Sequence, residues 1–252
     1  ELVMTEIRLR TEIEAKEDAL HELQARNEEL DAFAHTVSHN LKNPISAILG
    51  WASLSIKYSD RMSLLEQLDT IKKMGDIASN TDDIINALLL LAGVSRSKST
   101  TYRELNMFNI LDDALSRLEI EIAESQAIVD IHKPNTFPRC VGNRQWIEEV
   151  WINYISNAVK YGGNPPTIEI GAEQLDDKHA RYWIKDNGKG LLPAQQSKLF
   201  IPFNRLPQTS QLEGHGLGLS IVQKIIEKLG GEVGVTSIVG EGSTFNFTLP
   251  TI

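Results

Sequence analysis

The chain has 252 residues, 41% apolar and 23% charged, a balance that fits a soluble globular protein with room for two small cores. Its formal net charge of −9 argues against a nucleic-acid groove or an anionic membrane patch. Its single cysteine, Cys140, excludes an internal disulfide, fits a reducing cytosol and reads as buried filler. No stretch reaches the roughly 20 apolar residues of a bilayer span. The longest, residues 84–94, is short and broken by Asn86, and the charged first turns are not expected to act as a signal peptide.

The chain begins inside a helical pattern and is expected to be a piece of something longer. With Leu2, Leu9, Lys16, Leu23, Leu30 and Val37 as d positions, Glu6, Ile13, Leu20, Asn27, Ala34 and Leu41 fall at a. From Leu9 onward most of this seam is apolar, which predicts a coiled coil running into a helical bundle. Asn27 at a fits a polar residue that sets register. His39 falls at f, away from the seam, and Pro44 is expected to kink the helix. Residues 55–63 read as a turn. A second helix follows, with Leu64, Leu68, Ile71, Met74, Ile77, Ile84, Leu88 and Leu91 spaced by three or four. Two such helices cannot close a core alone, whereas two hairpins make a four-helix bundle, so a homodimer is expected.

Residues 93–101 are polar and Ser/Thr-rich, an interdomain linker. Beyond it a helix is expected from Asn109 or an adjacent residue through Ile122, then a strand at 127–132 and a helix at 143–161. Strands follow at 167–171 and 180–185, then a helix at 217–229 and a closing hairpin of 232–237 with 244–249. Without a regular βαβ repeat, this is an α+β two-layer sandwich rather than a doubly wound sheet.

Three segments of this half carry chemistry. In Gly214-His215-Gly216-Leu217-Gly218-Leu219 the glycines let backbone amides approach a ligand, and the helix that follows offers its positive end to phosphate. A dinucleotide-binding loop is excluded by its place near the C-terminus, after a polar loop instead of a first strand. In Asp186-Asn187-Gly188-Lys189-Gly190 a carboxylate after a strand could accept the exocyclic amine of adenine; the bland alternative is an Asn-Gly turn. On the third, Asn153, Asn157 and Lys160 share a helix face. An amide oxygen suits Mg²⁺ and a lysine suits phosphate, although a solvated helix face would look the same.

In their order these segments resemble the motifs of sensor histidine kinases. Ser38-His39-Asn40-Leu41-Lys42-Asn43-Pro44 resembles the phosphoacceptor box, residues 153–161 the N box, and 186–190 the first glycine box. Phe200-Ile201-Pro202-Phe203-Asn204-Arg205 resembles the F box, 214–219 the second glycine box, and Gly240-Glu241-Gly242-Ser243-Thr244-Phe245 the third. The resemblance spans roughly residues 30–250. It implies a signalling coiled-coil helix over 1–30 and a dimerisation and phosphotransfer domain over 31–94. A linker over 95–103 would lead to a catalytic ATP-binding domain over 104–252. Asn157 would hold Mg²⁺ with Asn153 in support, and Asp186 would bind adenine with Gly188, Gly190 and Thr244 nearby. Lys160, Tyr161, Arg205, His215, Gly216, Leu217, Gly218 and Leu219 would surround sugar and phosphates, under a lid of residues 204–213. Phe200 and Phe203 read as apolar anchors of that lid.

The implied activity is autophosphorylation of His39 by ATP, then transfer to an aspartate on a response-regulator receiver domain, and in addition its dephosphorylation. His35, at heptad position b, is the competing acceptor. The family usually places an acidic residue after the histidine; here it is Asn40, which can accept from the ring N–H but cannot take its proton, so a slowed reaction is expected. Asn43 matches the position that orients water for the phosphatase step. The partners implied are a second copy, a receiver domain and an upstream sensor domain in the same parent chain, with no nucleic acid and no membrane span in this fragment. The location implied is the cytosol, as the cytosolic portion of a longer parent. Two other classes share features: gyrase- and chaperone-type ATPases place a water-activating Glu where Asn153 stands, and a pseudokinase scaffold could carry the Asn40 change.

Overall fold

The computed structural model describes residues 2–96, 102–132, 137–204 and 216–251. The chain divides into two compact units, Glu1–Asp83 and Ile84–Ile252.

Two helices, α1 (Leu2–Lys57) and α2 (Leu64–Arg96), make the helical part; α2 runs on past the division between the units. The expected domain boundary at Val94 thus lies inside α2, and the division comes earlier, at Asp83. The α1 helix continues through Pro44 and outlasts the expected turn start at Ser55, because Tyr58 N still donates to Leu54 O at 3.0 Å. The Tyr58 carbonyl then accepts from Arg61 N and Met62 N, which closes the turn. Ser63 opens α2 with a reciprocal cap: Glu66 N donates to Ser63 Oγ at 3.3 Å, and Glu66 Oε2 accepts from Ser63 N at 2.8 Å. The Ser63 backbone N–H, seconded by its hydroxyl, holds the Glu66 carboxyl below its ordinary value. Higher on the pair, Lys73 Nζ lies 5.4 Å from the centre of the Trp51 ring.

The hairpin has no closed apolar core of its own. Among the described residues up to Asp83 the buried side chains are two threonines, Thr70 and Thr81, each donating to the carbonyl one turn back in its own helix. Large apolar side chains stand exposed instead: Ile45, Leu49 and Ile56 on α1, and Leu64, Leu68 and Ile71 on α2. Their spacing of three, four and seven puts each set on one face. This is the stripe expected for a bundle. Residues Leu64–Val94 also have, at a mean hydropathy of 1.2, the length and composition that could cross a bilayer. This differs from the expectation of no spanning segment, which rested on uninterrupted apolar runs. Length and composition do not by themselves separate such a helix from the apolar helix of a bundle.

The second unit is a two-layer sandwich, as expected. The sandwich within it begins with β1 (Arg103–Leu105), one residue before the expected domain start; of the expected linker, Ser95 and Arg96 are helical and residues 97–101 lie outside the described residues. The helix expected through Ile122 is two: α3 (Met107–Arg117), capped by Asn106 Oδ1 on Asn109 N, and α4 (Glu119–Glu124), separated at Leu118. Then come β2 (Ile128–Ile131), β3 (Cys140–Gly142), α5 (Arg144–Tyr161), β4 (Thr167–Gln174) and β5 (His179–Asp186). The unit ends with α6 (Pro193–Gln196), α7 (Gly218–Lys228), β6 (Val233–Ile238) and β7 (Gly242–Pro250). Five strands form one sheet in the order β2-β4-β5-β7-β6, parallel between β2 and β4 and antiparallel elsewhere; β1 pairs with β3.

One face of the sheet is buried under α5 and α7. Ile168, Ile170, Tyr182, Ile184, Phe247 and Leu249 point inward and meet Trp151, Tyr154, Ile155, Val222 and Ile225. Phe247 is the hub, stacked on Tyr182 at 5.2 Å and edge-on to Trp151 at 5.3 Å. Cys140 lies fully buried beside Tyr182, and burial pushes its thiol up to about 11, so it is filler and not a nucleophile at neutral pH.

Candidate functional site

On the hairpin, His39 is exposed on α1. Its Nδ1 stands 3.4 Å from Asn40 Oδ1 and 3.4 Å from Asn43 Nδ2, the latter one helical turn further on. The structure therefore brings together all three residues singled out in the phosphoacceptor box, and Nε2 is the ring nitrogen left outside the pair of amides.

In the sandwich, contacts join α5 to the start of α7 and to the turn after β5, and β5 to β7, which carry described residues of the remaining motifs. Asn143 caps α5 by accepting from Trp146 N at 3.1 Å, which fixes where the N-box helix starts. Asn153 donates to Glu149 O at 2.8 Å, and its amide oxygen lies where a β-carbon on Gly218 would come within 2.2 Å. Only glycine lets the first turn of α7 approach α5 this closely. Asn157, one turn beyond Asn153, is half-buried. Lys160 is exposed and lies 3.9 Å from Glu121 of α4, whose carboxylate also accepts from Ser156 Oγ at 3.1 Å. The lysine expected at phosphate is thus drawn toward a neighbouring acid.

At the end of β5, Asp186 is buried. Its Oδ1 accepts from Gly188 N at 2.8 Å and Ser243 N at 3.2 Å. Burial pushes its carboxyl above the ordinary value, against the pull of those two amides. Gly188 sits against the last carbonyl of the N-box helix, where a β-carbon would meet Tyr161 O at 2.3 Å. Gly190 turns with φ +67°, against the backbone of Ile238. Tyr161 is half-buried beside this turn.

Sheet register corrects one expectation. Asp186 pairs with Ser243, and both are buried on the inner side; Lys185 pairs with Thr244, whose side chain points the other way. Thr244 lines a hollow on the outer face with Arg181, Trp183 and Lys185. Ser243, one residue earlier, is the third-glycine-box side chain beside Asp186, and its hydroxyl lies 2.9 Å from that of Ser237. Asn187 was also missed. It accepts from Gly163 N and Thr167 N at 2.8 Å each and donates to Pro165 O at 3.2 Å, tying the end of the N-box helix to the first glycine box.

Arg205, His215 and most of the expected lid lie outside the described residues. The backbone on either side of them is joined: Phe203 N donates to Gly216 O at 2.8 Å. Leu217 is buried, so only its backbone can face a ligand; Gly218 and Leu219, both half-buried, open α7.

Residues 142–252 match the family described as histidine kinase-, DNA gyrase B- and HSP90-like ATPases. Over 232 residues the chain is 32% identical to cyanobacterial phytochrome A of a Nostoc species, covering 91% of this chain and 30% of the relative. It is 31% identical to the adaptive-response sensory-kinase SasA of Prochlorococcus marinus, covering 90% of this chain and 60% of that one. Residues 142–252 thus carry a domain of that ATPase family, and the chain as a whole is similar to sensor histidine kinases. It spans between about a third and 60% of the length of these two relatives. Among solved structures, histidine kinase ThkA in complex with response regulator protein TrrA superposes with a TM-score of 0.73 at 23% identity, over 91% of this chain and 64% of that one. The Acinetobacter baumannii histidine kinase AdeS gives 0.66 at 21%, over 84% and 98%. Both share the fold of this chain.

Proposed function

We propose that this kinase fragment phosphorylates its own His39 from ATP and passes the phosphoryl group to an aspartate of a response-regulator receiver domain. The observation that carries the reading is His39 itself. It is an exposed imidazole with its Nδ1 beside two amides and Nε2 open, in a chain that also matches the ATPase family over residues 142–252. Nε2 attacks the γ-phosphorus in line, an N–P bond forms, the bond to the β,γ-bridging oxygen breaks, and ADP leaves. In the tautomer that reacts, the Nδ1 proton points at Asn40, which accepts the hydrogen bond without taking the proton, so the proton leaves to solvent.

Asp186 takes the adenine amine on its free oxygen, and the start of α7 faces the phosphates. The donor set fits Mg²⁺, which keeps most of its waters and needs one or two protein oxygens; Asn157 supplies an amide oxygen and Asn153 supports α7 beside it. When bound, the ion neutralises charge on the phosphates. Asn43 orients water for dephosphorylation of the receiver. The exposed stripes of α1 and α2 are the faces that a second copy covers to complete a four-helix bundle. The relative ThkA, whose structure includes a response regulator, supports the receiver as partner. The need for ATP and a receiver fits a cytosolic fragment behind an upstream sensor domain.

Incubation with γ-labelled ATP tests the reading. Acid-labile label should appear on the protein, persist in His35→Ala and vanish in His39→Ala. Phosphate release without labelled protein would favour a gyrase-type ATPase, and the absence of both would favour a scaffold.

A further inference from the structure

Asn40 and Asn43 make opposite demands on the same atom. Asn40 presents an acceptor oxygen to His39 Nδ1, and Asn43 presents an amide nitrogen, each at 3.4 Å. A neutral imidazole nitrogen carries either a proton or a lone pair, never both. Asn40 is satisfied only by the Nδ1–H tautomer, which leaves the lone pair on Nε2. Asn43 is satisfied only by a bare Nδ1, which puts the proton on Nε2 and removes the nucleophile. Two ordinary amide contacts are of similar strength, so neither wins outright. A carboxylate at position 40 would settle the contest, because a charged acceptor bonds roughly twice as strongly as a neutral one.

We propose that Asn43 restrains autophosphorylation by holding His39 in the tautomer whose Nε2 is protonated, against Asn40, which holds the reactive one. Asn43 is a positioning residue in this role; it acts through the ring and touches no nucleotide. The proposal rests on His39 being the phosphoacceptor. It makes the pair of asparagines a built-in brake, set by the balance of two side chains within one helical turn of the nucleophile.

The test reads the tautomer directly. The full chain is labelled with ¹⁵N-histidine, the His39 ring is assigned by its loss in His39→Gln, and spectra are taken at about pH 8.5, roughly two units above an ordinary imidazole pKa. Both Asn43→Ala and Asn43→Asp should raise the ratio of Nδ1–H to Nε2–H by about two- to fivefold, the size of one ordinary hydrogen bond. Asn40→Ala should lower it. Single-turnover labelling should rise with the Nδ1–H fraction in the Asn43 variants. A ratio unchanged, or moved the other way, in both Asn43 variants would overturn the proposal even if His39 is labelled normally. A protein that shifts its tautomer as expected but never labels at His39 would instead overturn the function on which the proposal rests.

Discussion

The two units solve the burial problem in different ways. In the sandwich, large side chains such as Trp151, Tyr182 and Phe247 are wholly enclosed by the chain's own elements. In the hairpin, leucines and isoleucines at positions 45, 49, 64, 68 and 71 stand in the open, and the buried side chains among the described residues up to Asp83 are threonines that bond to their own helices. The sandwich encloses its core within one chain, and the hairpin leaves a stripe that the proposed second copy would cover. The division suits the proposed chemistry: nucleotide recognition needs a rigid frame, while a nucleophile meant to visit two partners must stay on the surface.

The sharpest way to break the comparison is to damage the sandwich alone. Phe247→Ala removes the ring packed against Trp151, Tyr154 and Tyr182 and should lower its stability by about 3–5 kcal/mol. Calorimetry should show one thermal transition moving down while far-ultraviolet helicity of the hairpin is retained to higher temperature. The matching lesion in the hairpin is Leu68→Asp. It buries a charge only if a second copy covers it, so dimerisation measured by analytical ultracentrifugation should weaken by roughly a hundredfold with nucleotide affinity unchanged. A nucleotide affinity that fell in parallel would mean that the two units are not independent.

Smaller changes address the chemistry on each side. Asn40→Asp supplies the missing proton acceptor, and single-turnover labelling should speed up by at least about tenfold; a slower variant would contradict the role given to position 40. On the sandwich, Glu121→Gln frees Lys160 for phosphate. The pair is long and its acid only half-buried, so ATP affinity should tighten by no more than about threefold, at low salt only.

Much of the sandwich is written in local pattern. Alternation marks β2, the spacing of Trp146, Ile147, Val150 and Trp151 marks α5, and the five boxes of this half stand in order. What escaped was set by distant partners. The strands β1 and β3 are three residues each, too short to alternate, and exist because they pair with each other. The break at Leu118 has no glycine or proline to announce it. Ser243 and Thr244 are chemically near-equivalent in sequence, and only pairing with β5 decides which one faces Asp186. Asn187 looked like turn filler because the backbone it ties lies some twenty residues away.

The enclosed thiol of Cys140 has a practical consequence. A sulfhydryl shut away and titrating near 11 is silent to maleimides at neutral pH in the folded protein. Because it is the chain's one native cysteine, a cysteine introduced at an exposed hairpin position would be the sole reactive handle. Fluorophore pairs could then be attached across two copies without first stripping the wild-type sequence, and the assembly of the bundle followed by energy transfer.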